Sequence, residues 1–156
     1  MLRVDIPGYG RLELDHYVTD FSGTLSEEGR LMPGVREKLN ELSGSLTIHV
    51  LTSDTFGRAL RELDGVACIP HVLGGEGHTG LKRAYVEKLG ADKVVSVGNG
   101  NNDVEMLKAS RLGIAVCLAE GCSTEAAGAA DILVTSAVDA IDLLLNTKRL
   151  IATLRR

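Results

Sequence analysis

The sequence predicts an α/β fold of three layers, a Rossmann-like arrangement in which helices cover both faces of a mostly parallel sheet. Short β-rich apolar runs alternate with longer stretches of helical period along nearly the whole chain. Several of those runs end in Asp, Ser, Thr, Gly or Asn. That pattern puts polar groups at the carboxyl ends of the strands, the edge where open α/β sheets bind ligands.

Taken in order, LRVDI and RLELD flank Pro7-Gly8-Tyr9-Gly10 and predict a small N-terminal β-hairpin. HYVTDF is the first core strand, and GVREKLNEL, with Pro33 at its entry, is a helix. SLTIHVLTS follows as a strand, TFGRALREL as a helix and VACIPHVL as a short strand. LKRAYVEKLG is a helix ended by Gly90, KVVSVGN a buried strand and NDVEMLKAS a helix. LGIAVCL is a strand, STEAAGAA a short helix, DILVT a strand and AVDAIDLLLNTKRLIATL the closing helix. No repeat, low-complexity tract or linker interrupts this order, so one domain over residues 1–156 is expected.

Composition narrows the partners. Hydrophobic residues make up 44% of the chain and aromatics 3%, with no Trp, so the core must be aliphatic. Scarce rings and a formal charge of -4 argue against nucleic acid, which needs stacking platforms or a basic stripe. Cys68, Cys117 and Cys122 are an odd number at spacings unlike a zinc site, and read as free thiols in a reducing compartment. No apolar run reaches membrane-spanning length and the N-terminus lacks a signal-peptide pattern, so the expected location is cytoplasmic, with no membrane partner.

The strand ends carry the chemistry. Asp20, with Ser22 and Thr24 behind it, ends the first core strand; Thr52, Ser53 and Asp54 end the second; GNGNNDVEML, from Gly98, follows a later one. A carboxylate so placed can attack phosphorus and form an aspartyl-phosphate, splitting a hard displacement into easier steps. The charge on the phosphoryl oxygens then calls for donors and a divalent ion. Thr52 supplies a hydroxyl at a helix entrance, Lys82 opens the following helix as a cation, and Asp103 offers a hard oxygen suited to Mg²⁺. The backbone carbonyl of Ser22 completes the candidate shell, and Ser53 and Asn102 are further candidate phosphate contacts. Taken singly, each has a plainer reading: a turn aspartate, a helix cap, a solvated lysine. Four fitting groups at one sheet edge are harder to attribute to chance.

In their order, DFSGTL, VLTSDT, Lys82 and GNGNNDVEML resemble the four motifs of the haloacid dehalogenase superfamily of phosphatases and ATPases, a likeness running from Tyr17 to the end of the sheet. DFSGT, LTSD and GNGNND are similar to the DKTGT, LTGD and GDGxND of P-type ATPase phosphorylation domains. IPGYG, TSDTFG and RLIATLRR resemble the small stand-alone soluble P-type ATPase-like phosphatases. The resemblance implies Mg²⁺ dependence, Asp20 as nucleophile, Thr52 and Lys82 as phosphate holders and Asp103 as a metal-site residue. It departs from the family at Ser22, where most members carry an acid–base aspartate. It departs again at Asn99, where the first metal-binding aspartate usually stands and an amide oxygen brings no charge. Residues 26–46 hold one loop and one helix, and residues 53–81 one helix and one short strand, so neither stretch has room for a cap domain. An open site leaves a macromolecular phosphate, or a lid from a neighbouring subunit of a homo-oligomer, as alternatives.

The expected activity is therefore slow phosphate-ester or anhydride hydrolysis on a phosphorylated small molecule or nucleotide. One alternative is a catalytically weak binding or assembly module, motivated by Ser22 and Asn99. Another is a dinucleotide-binding domain, motivated by Gly98-Asn99-Gly100 with Glu120 about 20 residues on. A receiver-like signalling module fits poorly, because Asp20 lies on the first core strand. His16, His49, His71 and His78 are scattered and read as structural. Glu27, Glu28 and Arg30 read as a solvated turn beside the site.

Overall fold

The computed structural model describes residues 1–54 and 57–156. Thr55 and Phe56, which the sequence puts at the head of a helix, lie outside the described residues. The strands are β1 Leu2–Ile6, β2 Gly10–Leu14, β3 His16–Asp20, β4 Ser26–Glu27, β5 Arg30–Leu31, β6 Thr47–Thr52, β7 Ile69–Val72, β8 Val94–Gly98, β9 Leu112–Val116 and β10 Ile132–Val134. The helices are α1 Val35–Leu42, α2 Arg58–Glu62, α3 His78–Leu89, α4 Val104–Ala109, α5 Thr124–Ala129, α6 Ala137–Leu145 and α7 Thr147–Leu154.

The main sheet has six strands in the order β10-β9-β8-β3-β6-β7, and every neighbouring pair is parallel. From β3 the chain builds outwards through β6 and β7, then crosses back to place β8 on the other side of β3. Strand order therefore reverses beside β3, and the crevice at that switch lies between the ends of β3 and β8. Period-two alternation sorts the side chains: Tyr17 joins the core cluster of α1 and α6, whereas Val18 joins the cluster of α3 and α4. Val35, Leu39 and Leu42 recur at helical spacing and bury the inner stripe of α1. Helices thus cover both faces, as expected.

The hairpin β1–β2 forms as the sequence predicts, with Leu2↔Leu14 and Ile6↔Gly10 at its ends. The sequence reading differs from the structure at several boundaries. The closing helix breaks at Asn146 (φ -119, ψ 81) into α6 and α7, and α7 turns back to pack on β1. Asn competes for the backbone's hydrogen bonds and favours such breaks, whereas apolar periodicity runs on regardless. Residues 26–31, expected as loop, include a minimal hairpin whose turn places Glu28 (φ 50) and Gly29 (φ 77) in the left-handed region. That is the backbone of a tight two-residue turn, and the strands are too short to show a period. Helix α3 begins at His78 after Gly77 (φ 75), so Lys82 stands on its second turn and does not open it.

Candidate active site at the carboxyl edge of the sheet

Asp20 is the last residue of β3, and the turn after it is organised on a single acceptor. The carbonyl of Phe21 accepts from Leu25 N at 2.9 Å, Ser26 N at 3.1 Å and Ser26 Oγ at 3.0 Å. The turn buries Thr24 and leaves Ser22 exposed on the wall of a cavity of about 570 Å³. Asp20, Ser22, Thr52, Ser53, Lys82, Asn99 and Asn102 all line this cavity, so seven of the candidate residues meet in one place.

Asp103 lies behind that surface. Its carboxylate is fully buried: Oδ1 accepts from Lys82 Nζ at 2.7 Å, and Oδ2 accepts from the backbone N–H of Asn99 at 2.9 Å and of Gly100 at 3.0 Å. Gly98 makes room, because a Cβ there would lie 2.5 Å from Asp103 Cγ. Each oxygen thus holds a hydrogen-bond partner, Oδ1 the ammonium and Oδ2 two backbone amides, at the residue the sequence offered as a hard oxygen for Mg²⁺. The same contacts take up the two amide N–H groups that a dinucleotide loop would offer to a pyrophosphate.

Lys82 Nζ donates both to Asp103 and, at 3.1 Å, to Asp20 Oδ1, and its side chain is 3% exposed. Burial alone would lower the lysine's pKa, but the two carboxylates outweigh it and hold the ammonium above its ordinary value. Burial and the charge of Asp103 raise the Asp20 carboxyl well above the usual carboxylate range, with Lys82 pulling the other way. Two carboxylates share one ammonium. With Asp20 ionised the trio is left one charge negative, and buried net charge is costly unless a counter-ion meets it.

Thr52 ends β6, and its hydroxyl accepts from the backbone N–H of Asp54 at 3.1 Å. The sequence placed it at a helix entrance. Helix α2 starts only at Arg58, so Thr52 acts as a strand-end hydroxyl whose proton is free to be donated.

The cavity's other wall adds Glu120, Gly121 and His78, which the sequence did not assign to the phosphate site. Asn99 directly follows β8, with its Oδ1 accepting from Thr24 Oγ1 at 3.4 Å. Its Nδ2 donates to Glu120 Oε1 at 3.2 Å and to the carbonyl of Gly121 at 3.1 Å. A Cβ on Gly23 (φ +72) would overlap the Glu120 carboxylate and lie 2.6 Å from Asn99 Nδ2, so glycine is what lets these groups gather there. The turn carrying Glu120 is tied to Glu27, whose Oε1 accepts from Ala119 N at 3.0 Å. Glu27, read from sequence as solvated, thus braces the rim. His78 also lines the cavity, with a buried Nε2 that has no hydrogen-bond partner among the described residues.

These donors suit a divalent cation. Asp20 supplies an anionic oxygen, and the Ser22 carbonyl and the Asn99 amide are hard neutral oxygens. Among the described residues no group of three or more His, Cys, Asp or Glu side chains is arranged to hold a metal. A shell here must therefore include amide or carbonyl oxygens.

Comparison with known proteins agrees with this fold. Residues 79–140 match the family of haloacid dehalogenase-like hydrolases. The chain is 48% identical over 63 residues to the uncharacterized protein MJ0073 of Methanocaldococcus jannaschii, covering 40% of this chain and 68% of that one. The 3-deoxy-D-manno-octulosonate 8-phosphate phosphatase of Moraxella catarrhalis, solved with magnesium and phosphate ions, superposes with a TM-score of 0.68 at 17% identity, over 91% of this chain and 94% of that one. The cobalt-bound deoxy-D-mannose-octulosonate 8-phosphate phosphatase of Haemophilus influenzae gives 0.70 at 12% identity, over 88% and 90%. The catalytic domain of the CPx-ATPase CopB-B gives 0.61 at 21% identity, over 74% of this chain and 46% of that one. The fold is that of a hydrolase class built on a strand-end aspartate crevice. The chain belongs to the haloacid dehalogenase-like hydrolases. No helix among the described residues is long and apolar enough to cross a membrane.

Proposed function

We propose that the protein is a Mg²⁺-dependent phosphohydrolase that takes a phosphoryl group onto Asp20 and passes it to water. One observation carries the reading: an ammonium buried between Asp20 and Asp103 beneath a polar cavity at the switch point of the sheet. An Asp20 carboxylate oxygen bonds to phosphorus as the bond from phosphorus to the leaving oxygen breaks, its electron pair departing with that oxygen. Water then adds to phosphorus, the bond to Asp20 breaks, and the carboxylate is restored. Thr52, Ser53 and Asn102 supply donors to the phosphoryl oxygens, and Lys82 offsets charge at the nucleophile. Asp103 keeps Lys82 in place. Asp20, the Ser22 carbonyl and Asn99 would hold Mg²⁺, which supplies electrophilic charge for the transferring group.

Ser22 cannot protonate a leaving oxygen or activate water efficiently near neutral pH. Turnover is therefore slow, and substrates with good leaving groups are favoured. The open cavity and the phosphatases among the similar structures support a phosphorylated small molecule, with a nucleotide as the runner-up. Hydrolysis of p-nitrophenyl phosphate and ATP, with and without Mg²⁺, tests the reading. The Asp20→Asn variant should lose Mg²⁺-dependent activity by about three orders of magnitude or more, the scale expected for removing a nucleophile. Native-level turnover in that variant would overturn the assignment.

A further inference from the structure

We infer that Glu120 supplies the anionic oxygen that Asn99 lacks in holding the divalent cation. The inference rests on the metal-dependent reading above and adds a residue to it.

The wall around the Asn99 amide is rich in oxygen. Both hydrogens of Nδ2 point at acceptors, Glu120 Oε1 at 3.2 Å and the Gly121 carbonyl at 3.1 Å. The amide nitrogen is thus the electropositive group in a place otherwise built of electron pairs. Rotating the amide by half a turn exchanges Oδ1 for Nδ2. The hydroxyl of Thr24, which donates to Oδ1 at 3.4 Å, can accept from Nδ2 equally well, because a hydroxyl serves in either role. After that rotation Oδ1 would stand beside the Glu120 carboxylate and the Gly121 carbonyl, and a cation held by Asn99 and Glu120 would offset the oxygens so gathered.

The backbone leaves room for the carboxylate there. Gly23 carries no Cβ, and any Cβ would overlap Glu120. The turn behind Glu120 is closed by Gly121 N to the Leu118 carbonyl at 2.9 Å and held to β4 by Glu27. Glu120 lines the same cavity as Asp20 and Ser22. Charge points the same way: an amide at Asn99 removes one negative charge from the site, and Glu120 returns it beside the same atom. Divalent-ion affinity follows ligand charge as well as ligand number.

Mn²⁺ is a suitable probe, because the free ion is counted directly by electron paramagnetic resonance. Native protein, Glu120→Gln and the Glu120→Gln/Asn99→Asp double variant are titrated, with urea unfolding run on each to check folding. Glu120→Gln should weaken Mn²⁺ binding about tenfold or more, the scale seen when groups supporting a metal are lost. The double variant, with the charge moved to position 99, should return to within about threefold of native, and a merely structural role for Glu120 would not produce that rescue. Native affinity in Glu120→Gln, absence of rescue in a folded double variant, or lack of Mn²⁺ binding by the native protein would each overturn the inference. Undiminished hydrolysis in Asp20→Asn with this affinity pattern intact would instead remove the nucleophile and leave Glu120 as a metal ligand.

Discussion

To act as the proposed nucleophile, Asp20 must be an anion in a place that resists one. Burial comes first and the charge of Asp103 second in raising its pKa, and Lys82 only partly offsets them. A cation bound opposite the carboxylate favours the ionised form, so a proton held there in the cation-free protein would be released on binding. The sign follows: affinity for Mg²⁺ should rise with pH while Asp20 is still part-protonated, then level off. Calorimetric titration at about pH 6 in two buffers of different ionisation enthalpy should report close to one proton released per ion for a wholly protonated group, falling at higher pH. No release at the lower pH would mean that Asp20 is already ionised without the cation. Asp20 and the Thr52 hydroxyl were legible in the sequence because each ends a strand, where an apolar run stops and a polar residue takes over, whereas Lys82 was found as a cation on the helix that follows β7. Glu120 also follows a strand, but nothing in the order of residues says that its turn folds over Gly23. Only the tertiary path does.

Helix α3 joins the site, at the carboxyl end of β3, to the other end of that strand. It carries Lys82 and, three residues on, Tyr85, whose hydroxyl meets His49 Nδ1 at 2.8 Å; His49 Nε2 in turn meets His16 Nδ1 at 3.1 Å. The sequence reading took the histidines as unrelated. His16 on β3 and His49 on β6 become neighbours through strand pairing, and sequence spacing within one strand does not reveal a partner on the next. Burial, and then the charge of His16, push His49 down to about 4 from an ordinary value near 6.5. A base with a depressed folded pKa favours the fold while it is neutral. Its contribution is complete above the ordinary value and is lost as pH falls from there towards 4. Urea unfolding at pH 7 and at pH 4.5 should show native protein losing about 1–2 kcal/mol through this group. His49→Gln keeps a hydrogen-bonding partner for Tyr85 and should lose less by that amount. An equal loss in both proteins would place the acid sensitivity elsewhere.

At the scale of the whole molecule, the alternation of strands and helices gave the architecture away, because the inner parallel strands β3, β6, β8 and β9 are buried along most of their length and helices such as α1 carry one buried stripe. The terminal regions were harder to read. Alternation in LRVDI and RLELD marks a two-faced hairpin, yet only the structure shows what it covers: Val4, Ile6, Leu12 and Leu14 join the core cluster of α1, α6 and α7. The link depends on the break at Asn146, which turns α7 back so that Arg156 N donates to the Pro7 carbonyl at 2.9 Å. The hairpin is thus outside the main sheet and inside the core. Leu12 is 0% exposed, and Leu12→Ala should cost about 2–5 kcal/mol, the range for a large side chain deleted from a packed interior. Leu60→Ala, at a side chain 43% exposed, should cost less than about 0.5 kcal/mol. Hydrogen exchange separates two ways in which the larger cost could be felt. If the hairpin shares the cooperative core, Leu12→Ala lowers protection in β3, β6 and β8 as much as in β1 and β2. Loss confined to β1 and β2, with the parallel strands unchanged, would make the hairpin a separately opening unit and the shared core wrong.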